Sequence, residues 1–268
     1  MSSLTPGILP LSALCLWLYM TLLYFIALYR RDNSIADIGY GVGFIVALLP
    51  AYLYRIALFH SAQESVSLLS VLPLILVSVW GARLALRIYV KNKGKPEDFR
   101  YAAWRREWKW FSLRSYLQIF MLQGAIIFLI ALPAIVLSSE STYVPPLLIL
   151  GLFVWLKGFG FETLGDWQLD RFLKEPESKG KLMTRGLWKY TRHPNYFGES
   201  LMWWGIWILS FAAHPSAWQY TIWSPVLITF LLLKVSGIPL LEARMSQHPD
   251  WPEYARKTNA FIPWFPKK

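Results

Sequence analysis

The chain has 268 residues, 55% of them hydrophobic and 17% aromatic, with a formal net charge of +11. A mean hydropathy of +0.36 excludes an ordinary soluble domain of this length and fits a chain that crosses a membrane several times. The single cysteine, Cys15, excludes an internal disulfide framework, and the scattered His60, His193, His214 and His248 lack neighbours at metal-ligand spacing.

The N-terminus, MSSLTPGILP, has no Lys or Arg before its apolar run and no small-residue cleavage site after it. It is expected to lead into a retained span at 8–29 and not to act as a signal peptide. Further apolar runs follow at 35–54, 66–82, 117–137, 144–164, 197–213 and 220–241, most of them near the ~20 residues that cross a bilayer. No linker, repeat or low-complexity tract divides residues 1–268, so the expectation is one all-α, polytopic membrane bundle of about seven helices.

Lys and Arg number 2 in 30–34, 1 in 55–65, 10 in 83–116, 0 in 138–143, 7 in 165–196, 0 in 214–219 and 5 in 242–268. Every second connection is basic. The positive-inside rule then puts the N-terminus outside and the C-terminus in the cytoplasm. The excess charge is topological, which argues against a nucleic-acid partner and for contact with membrane lipids.

The basic stretches also carry Asn92, Asp166, Asn195, Glu199 and Tyr254, a mixture that suits a polyanionic ligand with a polar head better than lipid headgroups alone. Polar groups at membrane depth are costly and point to function. Asp37 opens the second span in SIADIGYGVGF, where it is either a cap beside Ser34 or a functional acid. Lys157 and Lys234 lie near the cytoplasmic ends of their spans, where snorkelling accounts for them. Gln118 and Gln123 can bond neighbouring helices or reach a cavity. Gln63 and Glu64 read as solvated residues of an outer loop. Glu162, Asp166 and Asp170 recur at i, i+4 and i+8, along one helix face that begins in an apolar run and ends among cations.

The segment GLWKYTRHPNYFGES gathers polar groups at the mouth of the apolar LMWWGIWIL. Pro194 suits the first turn of a helix, where its missing N–H costs nothing. A helix starting there would direct its positive dipole end to the cytoplasmic surface, with Arg192 and His193 reinforcing an anion site. Asn195 and Glu199 share a face one turn deeper and would offer an amide and a carboxylate to a polar ring.

That segment resembles the signature of the membrane steroid 5α-reductase superfamily, most closely its bacterial branch known as the DUF1295 family. WGARLALRIYVKNKGKPEDFRY, LQIFMLQG, FETLGDWQLDRF, LLLKVSGIPLLE and FIPW extend the resemblance over roughly residues 30–264. The resemblance implies a seven-helix fold that binds NADPH from the cytoplasmic side and admits an apolar substrate from the lipid. It further implies that Asn92 and Lys95 form a cofactor loop and that Asp166, Tyr190, Asn195 and Glu199 contact the cofactor. Arg192, His193 and Tyr196 belong to the RHPNY element, and Arg244 and Tyr254 are the matching C-terminal positions. Where steroid enzymes carry a substrate-orienting Tyr in span three, this chain has Gly81, and Gln63–Glu64 sits too close to the NKGKP loop to serve as the family's Gln-Glu pair. Asp37 and Tyr40 are the expected substitutes for an acid and a hydroxyl donor.

The function so implied is NADPH-dependent reduction of a conjugated C=C bond in a lipophilic, steroid- or isoprenoid-like substrate, in a bacterial inner membrane or the endoplasmic reticulum. The alternative enzyme is an S-adenosylmethionine-dependent methyltransferase of the isoprenylcysteine carboxyl methyltransferase type, which shares the RHPxY element. Its sulfonium donor carries no phosphate and does not explain the ten Lys and Arg of 83–116. A lipid-binding scaffold is the non-catalytic alternative.

Overall fold

A computed structural model describes residues 7–62, 68–137 and 143–267; most of these are helical and no strand occurs among them. Gln63 and Glu64 lie outside the described residues. Among the described residues, six helical segments are long and apolar enough to cross a membrane: Ile8–Arg30, Ile35–Tyr54, Val71–Asn92, Phe111–Leu137, Pro145–Phe172 and Pro215–Met245. A seventh helix, Pro194–Ala213, has 20 residues but opens on the polar PNYFGES. The expectation of an all-α polytopic bundle holds, and the chain reads as a multi-pass integral membrane protein.

Contacts divide the chain into two compact units, 1–143 with 213–221 and 144–212 with 222–268. In the first, α1 (Ile8–Arg30) ends where Arg31 turns left-handed at φ 53° and donates its N–H to the last carbonyls. A buried Asn33–Ser34 turn leads into α2 (Ile35–Ala62), followed by α3 (Leu68–Asn92). A Cβ on Gly41 would lie 2.3 Å from the carbonyl oxygen of Gly81. The backbones of α2 and α3 therefore touch, and only glycine fits at either position. This is the physical reason for Gly81 where the resemblance calls for a Tyr.

The expected third span was 66–82, but α3 runs on to Asn92. Arg83, Arg87 and Lys91 continue the helix beyond the apolar run, since a charged last turn does not stop a helix whose backbone bonds are satisfied. The short α4 (Phe99–Glu107) is capped by Asp98, whose carboxylate accepts the Arg100 N–H at 3.0 Å. Next comes α5 (Phe111–Leu137), with a π turn over Tyr116–Met121. Met20, Phe44, Leu48, Trp80, Phe120 and Ile127 fill the core of this unit.

The second unit starts with α6 (Pro145–Phe172), two turns longer than its apolar run, and continues through 3-10 turns at Pro176–Ser178 and Gly186–Lys189 into α7 (Pro194–Ala213). Gly151, Gly158 and Gly165 recur every seven residues on α6, as Gly198 and Gly205 do on α7. A Cβ on Gly158 would meet the Gly198 carbonyl oxygen at 2.6 Å, and one on Gly205 the Trp155 nitrogen at 2.6 Å. Two glycine rows thus press the α6 and α7 backbones together over several turns, as close-packed membrane helices require. The last part of the unit is α8 (Trp223–Phe230), prolonged by a π turn over Leu231–Val235 and broken at Gly237. Two short helices follow, α9 (Ile238–Met245) and α10 (Trp251–Lys257).

Candidate functional site

The approach to α7 is seated on the outer turns of α6. Gly186 adopts φ +61°, a conformation glycine takes without strain, and the next N–H, of Leu187, donates to Gln168 Oε1 at 2.9 Å. Trp188 is buried against Phe172 and Met183 and donates its indole N–H to the Gly165 carbonyl at 3.0 Å. α7 begins at Pro194, as its sequence predicts.

The contact of α6 with α7 sets the deeper part of the site. A Cβ on Gly198 would fall 2.4 Å from the Glu162 nitrogen, and one on Gly165 would fall 3.3 Å from the Asn195 nitrogen. The Glu162–Asp166 turn therefore lies beside the Asn195–Glu199 turn. Glu162, Asp166 and Glu199 are buried at 2%, 3% and 8% exposure, a concentration of acid that an apolar bundle does not carry without purpose. The Asn195 side-chain oxygen is buried and makes no hydrogen bond among the described residues. Such an acceptor fits a ligand that brings an N–H donor, as the carboxamide of a nicotinamide does.

Nearer the start of α7 the side chains are committed to the protein itself. Arg192 donates from Nε to Glu242 Oε1 at 2.8 Å and from Nη1 to the carbonyls of Ala255 and Thr258. His193 Nε2 meets the same Glu242 oxygen at 3.0 Å, and its ring stacks on Tyr196 at 5.6 Å between centroids. Burial pushes the His193 imidazole below its usual range, against the opposing pull of Glu242. The expected anion site thus receives an internal anion: Glu242 occupies the two cations meant for phosphate. Sequence reasoning missed Glu242, whose only signal was its place at the end of LLLKVSGIPLLE.

The C-terminal segment straps this corner down. The Arg192 N–H donates to the Asn259 carbonyl at 2.9 Å, and the Trp264 N–H to the Tyr190 carbonyl at 2.9 Å. Tyr254 donates its hydroxyl to the Trp188 carbonyl at 2.7 Å, and burial raises its phenol well above the usual range. Tyr254 is therefore a strut behind the motif. The Tyr190 ring is part-exposed against Phe265, and Arg244 is exposed on α9. The structure brings Asp166, Asn195 and Glu199 together, ties Arg192, His193 and Tyr196 into a neighbouring cluster, and leaves Arg244 on the surface.

In the first unit, Asn92 closes α3 and Lys95 follows in an exposed turn, where the Lys95 N–H donates to the Asn92 carbonyl at 3.0 Å and Gly94 takes φ +75°. This loop is held from behind: Glu97 accepts from the Asn33 N–H at 2.8 Å and from Arg105 at 2.7 Å, and Ser34 Oγ accepts from the Asp98 N–H at 2.8 Å. Asp37 accepts from Arg100 Nη2 and from the Tyr101 hydroxyl, each at 2.7 Å. Burial, then the facing carboxylate, raise the Tyr101 phenol well above its usual range. Asp37 is thus seated as the acceptor of a guanidinium and a phenol, which ties the start of α2 to α4. Tyr40 packs edge-on against Phe44 at 5.1 Å, in an aromatic cluster that includes Trp80.

The family model described as "Protein of unknown function (DUF1295)" matches residues 23–258. An uncharacterized protein of the fission yeast Schizosaccharomyces pombe is 27% identical over 219 residues, which cover 70% of this chain and 61% of that protein. The chain thus spans about three-fifths of the length of this relative. No solved structure matches.

Proposed function

From the premise that the chain belongs to the DUF1295 family, in the steroid 5α-reductase-like group, we propose that it is an NADPH-dependent membrane reductase of a conjugated C=C bond in a lipophilic substrate. The observation that carries this reading is the α6–α7 backbone contact, which sets the turn holding buried Asp166 beside the turn holding Asn195 and buried Glu199 and leaves the buried Asn195 oxygen without a partner among the described residues. When bound, NADPH supplies the hydride. Asn195 accepts from the carboxamide, and Glu199 with Asp166 fixes the polar end of the cofactor. Arg192 is committed to Glu242, and the phosphate contact of Lys95 rests on the family resemblance alone. Tyr40 remains the hydroxyl donor for the developing enolate oxygen, and Asp37 anchors the loop that follows α3. The distribution of Lys and Arg supports an N-terminus outside and a cofactor site on the cytoplasmic side.

Buried carboxylates also suit a sulfonium cation, so S-adenosylmethionine is the competing ligand. The test is turnover by the protein reconstituted in bilayers with lipophilic enones. NADPH-dependent appearance of the saturated ketone supports the proposal, and methyl transfer from S-adenosylmethionine overturns it.

A further inference from the structure

Glu242 binds both residues of the RH pair through one oxygen, and the consequence falls on the far side of the imidazole. His193 is completely buried, at 0% exposure, and its Nδ1 has no hydrogen-bond partner among the described residues. Its Nε2 lies 3.0 Å from Glu242 Oε1, which also takes Arg192 Nε at 2.8 Å. A carboxylate only accepts, so the nitrogen facing it must carry the proton. In a neutral ring the other nitrogen is then a bare lone pair. Stacking on Tyr196, with an interplanar angle of 11°, limits rotation of the ring.

We propose that Glu242 is a positioning residue that locks His193 in the Nε2–H form, so that Nδ1 is a dedicated acceptor for an N–H or O–H donor of the bound ligand. Nδ1 would then work with Asn195 Oδ1, the second buried acceptor at the start of α7 that lacks a partner among the described residues. Two such acceptors at the start of one helix favour a ligand with an amide or amino group, and disfavour one that presents only carbonyl or phosphate oxygens there. The charged groups that face the ring are Glu242 and Arg192. This inference deepens the proposed function and names a further residue that orients its ligand. The tautomer part stands without that reading.

The test is 15N NMR of the full chain labelled at histidine, with His193→Gln identifying the resonances. At neutral pH the expected pattern is a protonated Nε2 and an unprotonated Nδ1. Glu242→Gln should give a mixture of both tautomers, since an amide can donate as well as accept. Ligand addition should move the Nδ1 resonance towards that of a hydrogen-bonded acceptor, and Glu242→Gln should weaken binding about tenfold, the worth of one hydrogen bond. A proton on Nδ1 in the wild-type protein, which is measured without any variant, overturns the assignment. So does a bound ligand that leaves Nδ1 unmoved. NADPH and S-adenosylmethionine are titrated in parallel, because both carry amino or amide groups. A shift with S-adenosylmethionine alone supports the role of Glu242 while removing the reductase reading.

Discussion

The polar clusters of the two units are built from the same residue types and end in opposite states. Around the loop after α3, donors and acceptors are matched: Asp37 receives Arg100 and Tyr101, Glu97 receives Asn33 and Arg105, and Asp98 receives Arg100. Around the start of α7, one carboxylate, Glu242, absorbs two donors, while His193 Nδ1 and Asn195 Oδ1 are buried with no hydrogen bond among the described residues. A matched cluster fastens a loop. An unmatched one carries a standing cost that a ligand relieves, and that contrast separates the anchoring region from the candidate site.

The sharpest way to break the contrast is Glu242→Ala. It strands Arg192 and His193 in a buried corner and should cost about 3 kcal/mol of stability, read as a lowered thermal midpoint of the detergent-purified protein. A loss within error of zero would mean the cluster is solvated and the acceptor surplus illusory. Next in size is Gly198→Ala, where the new methyl meets backbone atoms of Gly158 and Glu162. Overpacking of this kind should cost about 2 kcal/mol. Gly160→Ala, where nothing lies within 4 Å, should be silent. Equal effects at the two glycines would show that α6 and α7 do not touch as described.

Asp37→Asn should remove about 1 kcal/mol, since the amide keeps one acceptor and loses the charge-assisted partner. Cofactor affinity should stay unchanged. A variant of undiminished stability that turns over slowly would return Asp37 to a catalytic role. The smallest effect is that of pH. Burial sets the folded-state pKa of His193 below its unfolded value of about 6.5. The unfolded chain therefore binds more protons in that window, and stability falls as pH drops from about 6.5 through the folded pKa. His193→Gln should flatten this part of the stability profile in acid-titrated denaturation. An unchanged profile would place the imidazole in water.

The apolar runs were legible because lipid imposes length and composition on a span directly. The start of α7 was legible because Pro194 admits few other places. The side-by-side Asn195 and Glu199 followed from helical spacing. Less visible were the partners brought from afar. Nothing in the sequence ties Arg192 to Glu242, fifty residues on, or Asp37 to Arg100, because a tertiary pair leaves no local period. The end of α3 was missed because Arg83, Arg87 and Lys91 resemble a loop when hydropathy alone is read. The seven-residue glycine rows on α6 and α7 were present in the sequence, and they are the signal that would have placed Asp166 beside Asn195.

The central claim is that the start of α7 and the facing turn of α6 hold a reduced nicotinamide dinucleotide. The most direct test is a binding titration of the purified full chain with NADPH, NADH and S-adenosylmethionine at low salt. Selective NADPH binding is the predicted result, weakened by salt as phosphate contacts are screened and weakened again in Glu199→Gln. Selective binding of S-adenosylmethionine, or NADPH affinity indifferent to Glu199, would contradict the account.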